Sequence, residues 1–337
     1  MKIVQIMATD GGRIGGLEKH TFQLCEKLAE AHEVHLFLDD HYRAQAPVAS
    51  SLHCHYFDFS KGRMNLCLLL SMYRKLKSIQ PDLIHAQGGK ASKMLNFLLP
   101  FLKLPSVATI HGMKNNMKSY RHFSEVITVS QSVAKKILPV RSVHVVHNGV
   151  SIQAVPNKHQ QQIKPIRKAV AVGRLDPVKG FDRLIDAWQD IDMQLEILGD
   201  GPEREQLSQK IRALKLEHKI HLLGHQTDIY RYLASASFVV ISSSREGGPI
   251  ILAEALLAKI PVISTDVGMV REFIPEAYIA AGFDVEHLRQ LINEAVTHLD
   301  QLDQEFQTAF HRAASQLSLD AMTQHTLKVY QQALKQV

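Results

Sequence analysis

The sequence predicts an α/β protein of two doubly wound domains, each a mostly parallel sheet covered by helices on both faces. Three observations carry this. Short apolar runs alternate with amphipathic stretches from the first residues onward, the pattern of parallel strands joined by helical crossovers. The alternation breaks once, near the middle of the chain, and then restarts. The 337 residues, 45% of them hydrophobic, suit two domains better than one oversized core.

The first strand is Lys2–Met7. A glycine-rich stretch, Asp10 to Gly16, follows it, and Leu17, Phe22, Leu24 and Leu28 then recur at helical spacing. Further strands are expected at Glu33–Leu38, Asp82–Ala86, Ser106–Ile110, Glu125–Val129 and Val143–His147, with helices at Asn65–Ser78 and Ser132–Leu138. Residues 156–167 lack an amphipathic period and read as the linker between a domain at 1–155 and a second at 168–319. In the second half, strands are expected at Lys168–Val172, Gln194–Leu198, Ile220–Leu223, Phe238–Ile241 and Pro261–Ser264. Helices are expected at Asp182–Gln189, Glu203–Leu214, Asp228–Ala234 and Pro249–Ala258, and the last forty residues read as helical throughout. Two such domains meeting at a central cleft would present ligands to the carboxyl ends of their strands.

Composition narrows the class. No apolar run reaches the roughly 18 residues of a transmembrane helix, and Asp10 interrupts the start too early for a signal-peptide core. The three cysteines have no metal-binding spacing, and with no secretion signal they read as reduced thiols of a cytosolic protein. The charge is uneven. Residues 1–155 hold 19 Lys and Arg against 10 Asp and Glu, or +9, and the remainder holds 20 against 23, or −3. A basic first half suits an anionic partner, such as a membrane surface or a phosphorylated glycan, or is simply a solvated basic face. The apolar stretch from Asn65 to Lys77, with its basic end, reads first as a core helix and second as a segment lying on an anionic bilayer.

The chemistry gathers in the second half. The strand at Lys168–Val172 runs into Gly173-Arg174-Leu175-Asp176-Pro177-Val178-Lys179-Gly180. Arg174 and Lys179 then stand between a strand end and a helix start, where a diphosphate finds cations and free amides. Leu198-Gly199-Asp200-Gly201-Pro202 is another tight strand exit, whose glycines permit close backbone approach. Ser242-Ser243-Ser244-Arg245-Glu246-Gly247-Gly248-Pro249-Ile250-Ile251-Leu252-Ala253-Glu254 is the most informative segment. It places one carboxylate in a loop, two unobstructed amides after it, and a second carboxylate about a turn and a half into a helix, leaning back toward its start. Two acceptors so spaced suit the hydroxyls of two sugars, a hexose and a ribose.

These segments resemble the family-4 glycosyltransferases, which have the GT-B fold. Glu246 and Glu254, with seven residues between them that begin Gly247-Gly248, resemble that family's Glu-x7-Glu signature, although Gly-Gly stands where members often carry Phe-Gly. Gly173-Arg174-Leu175 and Lys179-Gly180 resemble its diphosphate segment. Gly15-Gly16-Leu17-Glu18, His111-Gly112, Val129-Ser130-Gln131-Ser132 and Val145-Val146-His147-Asn148-Gly149-Val150 resemble its first-domain motifs, in the family's order. The resemblance implies a retaining, metal-independent transferase taking a nucleotide-diphosphate sugar, most often a UDP-sugar and next GDP-mannose. Arg174 and Lys179 would hold the diphosphate. Glu246 would hold the hexose, with Gly247, Gly248, Pro249 and Ile250, and Glu254 would hold the ribose. Gly199, Gly224, His225 and Gln226 would line the nucleotide, Gly15 and Gly16 would approach the diphosphate or acceptor, and His111 would sit against the hexose. The catalytic set would be Glu246, His111, Arg174 and Lys179. The last helix, near 320–337, would cross back to the first domain.

Other readings fit less well. Asp190-Ile191-Asp192 follows a helix rather than a strand, so it does not resemble a metal-binding Asp-x-Asp. The nineteen histidines are scattered, and the pairs His32/His35 and His53/His55 read as strand-face or surface residues rather than ligands. Gly11 to Gly16 lacks the Gly-x-Gly-x-x-Gly spacing of a nicotinamide site. No basic-aromatic motif points to nucleic acid. A sugar-nucleotide epimerase or hydrolase of the same fold, or a membrane-bound scaffold with little turnover, remains the alternative. The expected partners are a nucleotide sugar and a glycan or lipid-linked acceptor of surface polysaccharide or lipopolysaccharide synthesis. The expected place is the cytoplasm, peripheral to the inner face of its membrane.

Overall fold

The computed structural model describes residues 1–11, 14–112, 120–137, 142–151 and 167–336. By its internal contacts the chain divides into two units, Met1–Ser151 with Leu319–Val337, and Ile152–Ser318. All but one residue of the expected linker lies outside the described residues.

The first unit runs β1 (Lys2–Met7), α1 (Gly16–Ala29), β2 (Glu33–Asp39), β3 (Leu52–Phe57), α2 (Leu66–Ile79), β4 (Leu83–Gln87), α3 (Gly88–Leu102), β5 (Ser106–Ile110), β6 (Glu125–Thr128), α4 (Gln131–Lys135) and β7 (Val143–Val145). Its sheet is parallel, in the order β3-β2-β1-β4-β5-β6-β7. Alternation along each strand feeds two apolar layers. Val4, Ile6 and Phe37 point to the layer of α2 and α3, with Met72, Leu76 and Leu95. Ile3 and Leu36 point to the layer of α1, with Leu24 and Leu28.

The second unit runs β8 (Lys168–Val172), a 3-10 turn at Pro177–Lys179, α5 (Phe181–Ala187), β9 (Gln194–Leu198), α6 (Arg204–Ala213), β10 (Ile220–Gly224), α7 (Tyr230–Ser235), β11 (Phe238–Ile241), α8 (Ile250–Leu257), β12 (Val262–Thr265), α9 (Val270–Phe273), β13 (Ile279–Ala280), α10 (Val285–Thr297), α11 (Leu299–Glu305) and α12 (Gln307–Gln316). Its parallel sheet is ordered β10-β9-β8-β11-β12-β13. The last helix, α13 (Leu319–Leu334), packs on α1 in the first unit, where Met322, Val329, Tyr330 and Ala333 complete the α1 layer.

In each sheet the winding reverses once, between β1 and β4 and between β8 and β11. Ligands of open parallel sheets bind at the carboxyl ends beside such a reversal. In the first unit β3 and α3, and in the second α9, β13 and α10, were not expected from the sequence, and the helical tail is interrupted, with α11, α12 and α13 as separate rods. Among the described residues, no helix is long and apolar enough to cross a membrane. Cys25, Cys54 and Cys67 are free thiols.

Candidate active site

In the second unit, the segments leaving β8 and β11 flank the reversal and are tied to each other. Ser242 Oγ donates to Lys179 O at 2.8 Å, and Ser244 N donates to Val178 O at 2.8 Å. Gly180 permits this contact twice over. Its φ of 66° is left-handed, and a Cβ there would stand 2.4 Å from Ser242 O. The tie brings together side chains 67 positions apart. Lys179 Nζ donates to Glu246 Oε1 at 2.5 Å, and Ser243 Oγ donates to the same oxygen at 3.0 Å. The Lys179 alkyl stem lies along Gly173, where a Cβ would be 3.1 Å from Lys179 Cε. Thr265 Oγ1, at the end of β12, donates to Ser243 O at 2.6 Å and holds the loop from below.

Arg174 is exposed, and its side chain makes no hydrogen bond or ion pair among the described residues. The site therefore offers one cation held by a carboxylate and one that is free. Gly247 and Gly248 lead from Glu246 to Pro249, the N-cap residue of α8, and Ile250 opens the helix. Gly268, at φ 57°, is seated on Gly247, leaving no room for a side chain. Glu254 lies in the second turn of α8, 3% exposed. Tyr230, at the start of α7, adjoins it. Burial, and next the Glu254 carboxylate, push the Tyr230 phenol well above its ordinary value. Sequence reasoning missed Tyr230, because nothing in the spacing from 230 to 254 shows that α7 and α8 share this end of the sheet.

The remaining strand exits are tight. Gly199 N donates to Gly224 O at 2.8 Å, and a Cβ on Gly199 would fall 1.8 Å from Gly173 O. The Gly199 position thus accounts for its glycine by backbone crowding alone. Gly224 takes φ 73° at the end of β10. His225 beyond it is exposed, while Gln226 donates to Leu223 O at 2.8 Å and accepts from Arg231 at 2.9 Å. Asp190-Ile191-Asp192 follows the exit of α5.

In the first unit, Gly15 and Gly16 open α1, and the Gly15 amide is already taken by Glu18 Oε2 at 2.9 Å. Gly12 and Arg13 of this loop lie outside the described residues. His111 follows β5, half-buried, and its Nε2 donates to Gln87 Oε1 at 2.8 Å. The His20 ring meets His111 edge-on at 4.7 Å, and burial lowers His20 to about 4, so it is neutral. Behind Gln87 a buried chain of polar groups runs inward. Gln87 Nε2 donates to Gln5 Oε1 at 3.0 Å, Gln5 Nε2 to Tyr330 at 2.7 Å, and Tyr330 meets His85 Nδ1 at 2.7 Å. Burial lowers His85 to about 3. Sequence reasoning also missed Lys90 and Asp10, which form a 2.9 Å ion pair at this sheet's reversal. At the far edge His35, His53 and His55 come together on β2 and β3, but among the described residues no group of three or more His, Cys, Asp or Glu is arranged to hold a metal.

Comparison with known proteins bears on the family and the fold. The model of the family described as Glycosyltransferase Family 4 matches residues 14–154, and that described as Glycosyl transferases group 1 matches residues 156–316. An uncharacterized glycosyltransferase of Methanocaldococcus jannaschii is 27% identical over 287 residues, 79% of each chain. The lipopolysaccharide core biosynthesis glycosyltransferase LpsD of Rhizobium meliloti is 28% identical over 182 residues, 52% of each. Among solved structures, Anabaena HepE in complex with UDP superposes with a TM-score of 0.81 at 20% identity, covering 98% of this chain and 99% of that one. That likeness shows the fold, two Rossmann-like domains of the GT-B type.

Proposed function

The chain belongs to the family-4 glycosyltransferases, and from that premise we propose that it moves a hexose or N-acetylhexosamine from a UDP-sugar to a glycan or lipid-linked acceptor, with retention and without a metal. The observation that carries this is the convergence of Lys179, Glu246 and Ser243 at the reversal of the second sheet, beside the free Arg174. Cations there suit a diphosphate, and a carboxylate in the same cluster suits the hydroxyls of the sugar it carries. The UDP choice is supported by HepE, which was solved with UDP and with UDP-glucose. The pathway is supported by relatives named for lipopolysaccharide core and amylovoran biosynthesis.

In the proposed step the acceptor oxygen bonds to the anomeric carbon on the face from which the diphosphate departs. The bond from that carbon to the phosphate oxygen breaks, its electron pair stays on the oxygen, and that oxygen takes the acceptor proton. Lys179 and Arg174 stabilise the growing negative charge, the work a divalent cation does in other transferases. Glu246 and the amides of Gly247 and Gly248 hold the hexose. Glu254 holds the ribose, and the strand exits at Gly199, Gly224, His225 and Gln226 line the nucleotide. In the first unit, the family resemblance assigns His111 to the hexose and the Gly15-Gly16 turn to the diphosphate or acceptor. A lipid-linked acceptor would put the reaction at the cytoplasmic face of a membrane, where nucleotide sugars are at hand.

The test is a screen of nucleotide sugars by thermal shift, followed by transfer assays with and without EDTA and NMR of the product. A UDP-sugar is expected to raise Tm most, activity to survive EDTA, and the product to keep its anomeric configuration. Inversion, or activity restored only by added metal, would overturn the corresponding part of the reading.

A further inference from the structure

The α1 side of the first sheet turns from apolar to polar along its strands. Near the amino ends of β1, β4 and β5, Ile3, Leu83 and Val107 pack with residues of α1 and α13. By the alternation of strand side chains the same side then carries Gln5, His85, Gln87 and Thr109, and His111 follows just beyond β5. Register brings these residues level, with Gln5 opposite His85 and Gln87 opposite Thr109. Gln5, His85, Gln87 and Thr109 are at most 1% exposed, and so is Tyr330, which reaches them from α13. Polar groups buried this deeply are costly unless hydrogen-bonded. Apolar side chains of the same shape would serve stability about as well.

The hydrogen bonds of this row run one way. Tyr330 Oη accepts from Gln5 Nε2 at 2.7 Å, so its own proton goes to His85 Nδ1, also at 2.7 Å. His85 is neutral, because burial lowers it to about 3. A neutral imidazole that accepts at one nitrogen donates at the other, and His85 Nε2 meets Thr109 Oγ1 at 2.7 Å. Toward the site, Gln5 Oε1 accepts from Gln87 Nε2 at 3.0 Å, and Gln87 Oε1 accepts from His111 Nε2 at 2.8 Å. An amide has one accepting end and one donating end, so each glutamine passes on the polarity set at Tyr330. His111 therefore carries a proton on Nε2 and turns that edge of its ring to Gln87. The His20 ring packs edge-on beside it at 4.7 Å.

We propose that Tyr330 is a positioning residue for His111: its hydroxyl, acting through Gln5 and Gln87, fixes the tautomer and tilt of the His111 ring, and so the edge that the ring presents to the transferred hexose. This inference rests on the role proposed above for His111 and extends it to the last helix of the chain. It explains why the row is polar where an apolar one would pack as well. It also separates two effects of the hydroxyl. Holding α13 in place is structural, whereas aiming His111 belongs to the transfer step, in which small displacements of a reacting group are costly.

The experiment compares the parent chain with Tyr330→Phe, Gln5→Met, His111→Ala and the double variant Tyr330→Phe, His111→Ala. Turnover is read as UDP release from the best UDP-sugar of the thermal-shift screen, below the Tm of every variant. The His111 tautomer is read by nitrogen-15 NMR of the imidazole. The parent chain is expected to show the Nε2–H tautomer, and Tyr330→Phe and Gln5→Met a mixture of the two. In Tyr330→Phe, kcat is expected to fall by about 10- to 10²-fold, with a smaller change in KM and an unchanged thermal shift on adding UDP. In the His111→Ala background the same substitution is expected to cost no further activity, since a residue acting through His111 has nothing left to act on. A further loss in that background, an unchanged His111 tautomer, or parental kcat in both Tyr330→Phe and Gln5→Met would overturn the inference. Full turnover by His111→Ala would sink the role of His111 itself and this inference with it, a result distinct from loss in His111→Ala beside full activity in Tyr330→Phe.

Discussion

The Lys179–Glu246 pair makes the proposed donor site partly self-neutralised. A diphosphate must draw Lys179 away from a carboxylate that a second donor, Ser243, already holds in place. Glu246→Gln is expected to tighten binding of UDP alone, read by calorimetry, while lowering sugar transfer. Lys179→Ala is expected to weaken both, with transfer falling by about 10²-fold or more, the usual loss when a donor to developing charge is removed. Gly180 is the other decisive residue. Gly180→Ala places a methyl in left-handed backbone at a cost of about 1–2 kcal/mol and against Ser242 O, so the Tm should fall and transfer should fall with it. The sequence made these residues legible because each stands at a strand exit. It did not show that Lys179 and Glu246 touch, since that depends on which strands are neighbours. Tyr230 was hidden for the same reason, and the crowding of Gly199 on Gly173 shows that a glycine at a strand end need not signal a ligand.

At the scale of elements, most strands and helices were readable within a residue or two, and the failures have causes. In β3 three of the first four residues are His53, the half-buried Cys54 and His55, which blur the apolar alternation of an edge strand. In α3 the opening Gly88-Gly89 and the internal Pro100 look like breakers. Pro100 falls in the last turn, where its missing N–H costs one bond, and the apolar residues Met94, Leu95, Leu98, Leu99 and Leu102 outweigh it. The terminal helix α13 was readable as a helix, but its polar anchor was not. Tyr330 joins Gln5 and His85 inside the first unit. Tyr330→Phe should strand both partners and cost about 1–3 kcal/mol in urea unfolding.

At the scale of the whole molecule, buried histidines set the response to acid. His20 and His85 are held neutral by burial, near 4 and 3, while an unfolded histidine titrates near 6.5. Between those values the unfolded chain binds more protons, so stability is complete above about pH 6.5 and drains as pH falls. From pH 7 to pH 5 the loss should be about 2 kcal/mol for each of the two, above the range where paired carboxylates titrate. Urea midpoints at the two pH values measure it, and a His20→Asn, His85→Gln variant should shrink the difference, leaving the part due to His55, which burial also lowers to about 4. None of this was visible in a count of nineteen histidines; it needed the depth at which two of them lie.

The return of α13 to the first unit also orders events during synthesis. The α1 face of the first sheet receives Met322, Val329 and Tyr330 only after the ribosome has made the whole of Ile152–Ser318. At typical elongation rates that interval lasts roughly ten to thirty seconds. For that time an apolar face of a nearly finished domain stands open beside a nascent neighbour that can already fold. Chains stalled before Leu319 should be cut by protease within the first unit, and chains stalled with α13 clear of the exit tunnel should resist.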